Sequence, residues 1–172
     1  VDCGAYVGDT LNNARQLGVE IESAMLFEPD LRHFAALTKY LRQEWSVPAF
    51  SWPCAVSSSS TQLQFMSDGA EGGKLAEGET VVYAVALDDV LQGYAPTLIK
   101  MDIEGAEMDA LNGARRLIQA HRPGLAVCVY HRPTDLWRVA ALLQGWRLGY
   151  RFYLRMHGQN TFETVLYALP DG

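Results

Sequence analysis

The stretch VDCGAYVGDT, Val1 to Thr10, sets the frame for reading the whole chain. An apolar residue, an acid and a thiol lead into Gly4; three residues separate Gly4 from Gly8, and Asp9-Thr10 follow at once. This is the order of a strand end, a glycine turn and a helix start. The next residues agree: DTLNNARQLG (9–18) predicts a helix capped by Asp9 or Thr10, with Leu11, Ala14 and Leu17 on one face and Gly18 as its stop. A strand has ~5–6 residues, and Val1–Cys3 supplies only its end, so the reading expects N-terminal residues of the full-length chain before Val1.

Working outward, strands and helices alternate. SAMLFEPD (23–30) predicts a strand ending at Glu28-Pro29, and Asp30 caps a helix over 31–45 with Leu31, Phe34, Leu37 and Leu41 at helical spacing. AFSWPCAVS (49–57) predicts a third strand, with Pro53 arguing against a central position. TQLQF (61–65) alternates like an edge strand, MSDGAEGGKLAEGE (66–79) reads as a loop or hairpin tip, TVVYAVAL (80–87) as a strand, and LDDVLQGY (87–94) as one or two helical turns. PTLIKMDI (96–103) is an apolar strand, and GAEMDALNGARRLIQAH (105–121) predicts one helix with Met108, Leu111 and Ile118 inward, weakened at Gly113 by about 1 kcal/mol relative to Ala. LAVCVYH (125–131) is a buried strand, and TDLWRVAALLQG (134–145) is a capped helix ending at Gly145. RFYLRM and TVLYAL close the chain as an antiparallel pair joined by a short polar turn. No internal repeat or linker interrupts the pattern, so residues 1–172 read as a single α/β domain: a doubly wound, mostly parallel sheet with helices on both faces.

Composition narrows the function classes. The 172 residues carry a formal net charge of −6, with 49% hydrophobic residues. No Lys/Arg cluster suits a nucleic-acid backbone; Arg115-Arg116 is the densest pair and reads as a solvated helix face. No apolar run of about 18 residues spans a membrane. Cys3, Cys54 and Cys128 are far apart and odd in number, which implies three reduced, buried thiols and a cytoplasmic protein.

Ligands of such sheets bind outside the carboxyl ends of the strands. Three strand ends therefore matter: Asp2 to Gly8, Glu28-Pro29, and Asp102 to Glu107. The first is not a dinucleotide fingerprint. G-x-G-x-x-G counted from Gly4 requires glycine at positions 6 and 9, and this chain has Tyr6 and Asp9. A tyrosine blocks close backbone approach, and an aspartate at the helix start opposes a phosphate. Glu28, 20 residues after Gly8, is placed to accept hydrogen bonds from ribose hydroxyls. In IKMDIEGAEMDALNGA (99–114), Glu107 reads as compensation of the helix dipole and capping. Asp102 and Glu104 are harder to explain that way, because two carboxylates at a cleft repel unless a cation or a proton-transfer role separates them.

These blocks, together with FEPD (27–30) and ALDDV (86–90), resemble FkbM-type S-adenosylmethionine-dependent methyltransferases, in family order from Val1 to about Ala114. The resemblance implies a seven-stranded Rossmann-like sheet with an antiparallel C-terminal strand. It implies S-adenosyl-L-methionine as cofactor and S-adenosyl-L-homocysteine as product. Asp2, Gly4 and Gly8 would form the loop around the methionine part, Glu28 would hold the ribose, and Asp102 and Glu104 would lie at the active-site rim. Tyr6, Asp9, Pro29, Ala55, Val56 and Asp102, at the same turns and strand ends, complete the expected cofactor set. A cation without phosphate also suits the acid-rich loop better than a dinucleotide does.

The expected reaction is O-methylation of a hydroxyl on a small molecule or saccharide, with no nucleic-acid or membrane partner. An alcohol acceptor needs a general base; Asp102 and His131 are the candidates, with Glu104 beside them. A metal on Asp102, Glu104 and His131 is chemically possible and not favoured, for want of tight ligand spacing. Lys100 shares a strand side with Asp102 and is expected either to pair with a first-strand carboxylate or to reach water. His33 and His121 read as surface, His157 is assigned no role, and Trp45, Trp52, Trp137 and Trp146 read as core. A nicotinamide-dependent oxidoreductase and a non-catalytic nucleoside-binding domain are the alternatives.

Overall fold

A computed structural model describes residues 1–66, 74–75, 80–158 and 163–171. Along the chain run β1 (Asp2–Cys3), α1 (Asp9–Gln16), β2 (Ala24–Phe27), α2 (Leu31–Glu44), β3 (Ala49–Trp52), β4 (Ala55–Val56), β5 (Thr61–Met66), β6 (Lys74–Leu75), β7 (Thr80–Val85) and α3 (Leu87–Val90). Then follow β8 (Leu98–Met101), α4 (Glu107–Gly113), α5 (Arg115–His121), β9 (Gly124–Cys128), α6 (Asp135–Gly145), β10 (Tyr150–Met156) and β11 (Thr164–Pro170).

The main sheet has seven strands in the order β10-β11-β9-β8-β1-β2-β3. The pairs from β9 to β3 are parallel, and β11 is antiparallel to both its neighbours. Alternation along each strand sends side chains to opposite faces. Thus Leu26 joins an apolar cluster with Leu11 of α1 and Leu37 of α2, while its neighbour Phe27 joins the larger cluster with Ile99, Met101, Leu111, Ile118 and Leu143. Helices cover both faces for this reason. Cys3, Cys54 and Cys128 are buried and free, as expected.

Several local expectations are corrected. Residues 49–57 do not make one strand. They break at Pro53 into β3, at the edge of the main sheet, and β4, which belongs to a second sheet of order β4-β7-β5-β6. There β5 lies between β7 and β6 and is not an edge strand. The helix expected over 105–121 divides at Ala114 into α4 and α5. A Cβ on Gly113 would collide with the Ser57 carbonyl oxygen, so the glycine serves close packing at the junction. Gly8, with φ +93°, is the N-cap of α1, and neither Asp9 nor Thr10 caps it. Asp30 caps α2 as expected, accepting from the Arg32 and His33 amides, but Leu31 is exposed, as are Trp137 and part of Trp52. Most of the expected 66–79 loop and the turn between β10 and β11 lie outside the described residues.

Candidate active site

Strand ends of both sheets open into one cleft of about 580 Å³. The first-strand turn supplies Gly4, Tyr6 and Asp9, and the β2 exit supplies Glu28, Pro29, Asp30 and His33. Ala55 and Val56 of β4 form a third side, and Lys100, Asp102 and Glu104 at the end of β8 a fourth. Tyr130 beyond β9 and the closing hairpin, through His157, Glu163 and Tyr167, complete the wall.

The first turn is held at three points. The Gly4 and Ala5 amides both donate to the Phe27 carbonyl, at 2.9 and 3.0 Å. The Tyr6 amide donates to Glu28 Oε2 at 2.8 Å. From the other side, Lys100 Nζ donates to the Gly4 carbonyl at 2.8 Å. Gly4 has φ +78°, and a Cβ there would overlap the Asp102 carbonyl oxygen, so glycine alone lets β1 turn against the end of β8.

Glu28 is buried, and its second oxygen accepts from the Asp30 amide at 2.9 Å. Each carboxylate oxygen has two acceptor positions, so one on each is left for a ligand after the backbone bonds. Burial is the largest influence on Glu28 and raises its pKa, against the pull of the Asp30 and Tyr6 amides. Tyr6 stands at φ 48°, a left-handed conformation uncommon outside glycine, with its ring edge-on to His33 at 4.5 Å.

Asp2 takes no part in the cleft wall. Parallel pairing of β1 with β8 sets Asp2 opposite Lys100, and the two side chains form a buried ion pair of 3.1 Å. Burial opposes the Lys100 charge, but Asp2 and Asp102 outweigh it and raise the lysine pKa. The first-strand partner expected for Lys100 is therefore found, and Asp2 acts on the loop through that lysine. Gly8 also stands behind the wall, where a Cβ would press on the Tyr40 ring at 2.7 Å.

At the end of β8, Asp102 is fixed by its own amide, which donates to the Cys3 carbonyl at 3.0 Å. The Tyr130 hydroxyl donates to Asp102 Oδ1 at 3.3 Å. Glu104 and Gly105 follow with φ 57° and 94°, a sharp left-handed turn that carries the Glu104 side chain to the cleft. His131 lies behind these two acids and does not line the cleft. Its Nε2 is 3.3 Å from Asp102 Oδ1 and 3.7 Å from Glu104 Oε2. Its Nδ1 is 2.8 Å from Glu107 Oε1, which also accepts from the Ile103 amide. Burial lowers the His131 pKa, but the hydrogen bond and charge of Glu107, with Glu104 and Asp102, raise it overall. Glu107 stands in the first turn of α4, as expected, and accepts from the Ile103 amide ahead of the helix; it is also wholly buried against His131.

Of the residues singled out in the sequence, Gly4, Tyr6, Asp9, Glu28, Pro29, Ala55, Val56, Asp102 and Glu104 line one cleft; Asp2, Gly8 and His131 support it from behind. Sequence reading missed His33, assigned to the surface, although its position one turn after the cap Asp30 turns it toward Glu28 at 3.8 Å. It also missed the hairpin wall of His157 and Tyr167, which hydrogen-bond at 2.8 Å. No local signal marks those two; antiparallel docking of β11 on β9 brings them in.

Chemically the cleft is acidic. Asp9, Glu28, Asp30, Asp102, Glu104 and Glu163 line it, and Lys100 is its sole lysine among the described residues. Such a site attracts cations and repels phosphates.

The fold agrees with the comparisons. The family model described as methyltransferase FkbM domain matches residues 2–152. A solved structure, the methyltransferase FkbM from Methylobacillus flagellatus KT, is similar at 30% sequence identity and a TM-score of 0.79. The match covers 97% of this chain and 42% of that one, so the chain spans less than half the length of its structural relative. No curated protein matches. The chain belongs to the FkbM methyltransferase family.

Proposed function

We propose that the chain transfers a methyl group from S-adenosylmethionine to a hydroxyl of a small molecule or saccharide. The observation that carries this reading is the pairing of a ribose-type carboxylate, Glu28, with an acidic, phosphate-averse cleft around one glycine turn. When bound, the cofactor supplies an electrophilic methyl on a sulfonium cation, without any phosphate. Glu28 keeps acceptor positions for two hydroxyls while clamping the turn that faces them. Gly4 brings main-chain atoms to the ligand surface, and Ala55 and Val56 offer an apolar wall to a base.

Asp102 and Glu104 stand at the rim, where an acceptor would enter. Asp102 is the group proposed to take the acceptor proton, oriented by Tyr130 and by its strand-end amide. The remaining task of the protein is positioning, which supplies much of the rate in a displacement of this kind. His131 is a positioning residue here, since the two acids lie between it and the cleft.

Calorimetry with S-adenosylhomocysteine and with NAD tests the reading, beside the Asp102→Ala variant. We expect the first compound to bind and the second not to. The variant should keep affinity within a few-fold and lose methyl transfer to hydroxyl acceptors by at least ~100-fold. Tight NAD binding without the homocysteine compound, or full turnover by the variant, would refute it.

A further inference from the structure

Behind the rim acids lies an arrangement that methyl transfer by itself does not require. His131 has a side chain 6% exposed. Its Nδ1 meets Glu107 Oε1 at 2.8 Å, and Glu107 is 0% exposed. An ionised carboxylate only accepts, so Nδ1 carries the hydrogen and, in the neutral ring, Nε2 carries the lone pair. That Nε2 atom is buried and finds no hydrogen-bond partner among the described residues. Its nearest polar neighbours are carboxylate oxygens of Asp102 and Glu104. Facing two acids, Nε2 calls for a positive charge beside it, either a proton or a metal ion.

We propose that His131 Nε2, Asp102 and Glu104 form a binding site for a first-row divalent cation, Mn²⁺ or Zn²⁺, with Glu107 holding the imidazole. The spacing fits. Ligand atoms bound at ~2.0–2.1 Å in tetrahedral geometry lie about 3.3 Å apart, and the two oxygens stand 3.3 and 3.7 Å from Nε2. One imidazole and carboxylate oxygens are a donor set for such cations. The Nδ1–Glu107 bond is the outer contact that metal-ligating histidines make almost always, and it fixes the ring and its tautomer. Asp102, Glu107 and His131 each offer an atom within 4.8 Å of the others, so Asp102 and His131 are close enough to share one ion with Glu107 against the ring, and Glu104 reaches toward Nε2 from 3.7 Å.

The open side of the site faces the cleft through Asp102 and Glu104. A cation there has room for an exogenous oxygen and favours its deprotonated form. Binding of the ion does not depend on the methyl-transfer reading and is measured without it. If turnover requires the ion, Asp102 serves as a ligand in place of acting as the base.

The test uses the protein treated with a chelator and then titrated with Mn²⁺, followed by its paramagnetic resonance signal, and with Zn²⁺, followed by calorimetry. One ion per chain is expected at micromolar concentration. Asp102→Asn and His131→Gln should each weaken binding at least tenfold, and Glu107→Gln by 10–100-fold. S-adenosylhomocysteine affinity of each variant reports whether its cleft is still folded. No binding up to millimolar Mn²⁺ or Zn²⁺, or binding that all three variants leave unchanged, would overturn the site. Ion binding without cofactor binding would instead count against the methyl-transfer reading and leave the site standing.

Discussion

Glu28 does two things with one carboxylate. It ties the first turn to the β2 exit through the Tyr6 and Asp30 amides, and it keeps acceptor positions open to the cleft. Burial raises its pKa, so protonation begins above the ordinary glutamate value of ~4.3. The protonated form is the poorer acceptor. Affinity for S-adenosylhomocysteine should therefore be level near neutral pH and fall as pH drops through this raised value. Glu28→Gln should bind at least ~10-fold more weakly and lose that transition, because an amide offers one oxygen where the carboxylate offers two. For the free protein the sign is opposite: the folded state holds this proton more tightly than the unfolded one, so the group's contribution to stability grows on acidification and is lost as pH rises through the folded value. Calorimetric affinities over a pH series check the first, and a denaturant series at the same pH values checks the second. A flat affinity profile would remove Glu28 from the ligand site.

Among the elements, the α4–α5 junction shows where helix propensity and packing disagree. By propensity alone, replacing Gly113 with alanine should stabilise a helix by about 1 kcal/mol. In the fold, α4 runs past the exit of β4, and the new Cβ would strike the Ser57 carbonyl oxygen. Gly113→Ala should therefore destabilise the protein by about 1–3 kcal/mol, as overpacking does, and shift β4, whose Ala55 and Val56 line the cleft. Urea unfolding measures the first effect and cofactor affinity the second; a stabilised variant would show that the junction is loose. The periodicity of residues 105–121 was readable as helical, and the inward Met108, Leu111 and Ile118 do pack on the core. The break was not readable, because the junction packs against the Ser57 carbonyl, just past β4 and more than fifty residues earlier in the chain.

At the level of the whole molecule, the fold buries all three thiols, Cys3 on β1, Cys128 on β9 and Cys54 in the link between β3 and β4. Burial pushes Cys3 up to about 12 and Cys54 up to about 11, so thiolate is scarce at neutral pH and the native protein should react slowly with thiol reagents. Cys54 lines the cleft whereas Cys3 lies beneath it, 0% exposed. S-adenosylhomocysteine should slow labelling of Cys54 further, while Cys3 should label only at the rate of unfolding. Mass spectrometry of time-resolved labelling distinguishes the two; rapid stoichiometric modification of native Cys3 would contradict this packing. No helix among the described residues is long and apolar enough to cross a membrane.

What the sequence determined by itself is the part governed by short-range rules. Gly4 and Gly8 punctuate the first turn, Asp30 caps α2, alternating strand and helix periods dictate a doubly wound sheet, and acids at strand ends fall on its ligand side. What only the tertiary structure decided is convergence. Lys100 meets Asp2 through strand register, Glu107 is drawn inside to His131, Pro53 passes the chain to a second sheet, and β11 docks on β9 to bring His157 and Tyr167 over the cleft. Backbone preferences act over a few residues and can be read locally. These contacts join residues far apart in the chain, and they form only because burying both faces of one sheet leaves its strand ends no other arrangement.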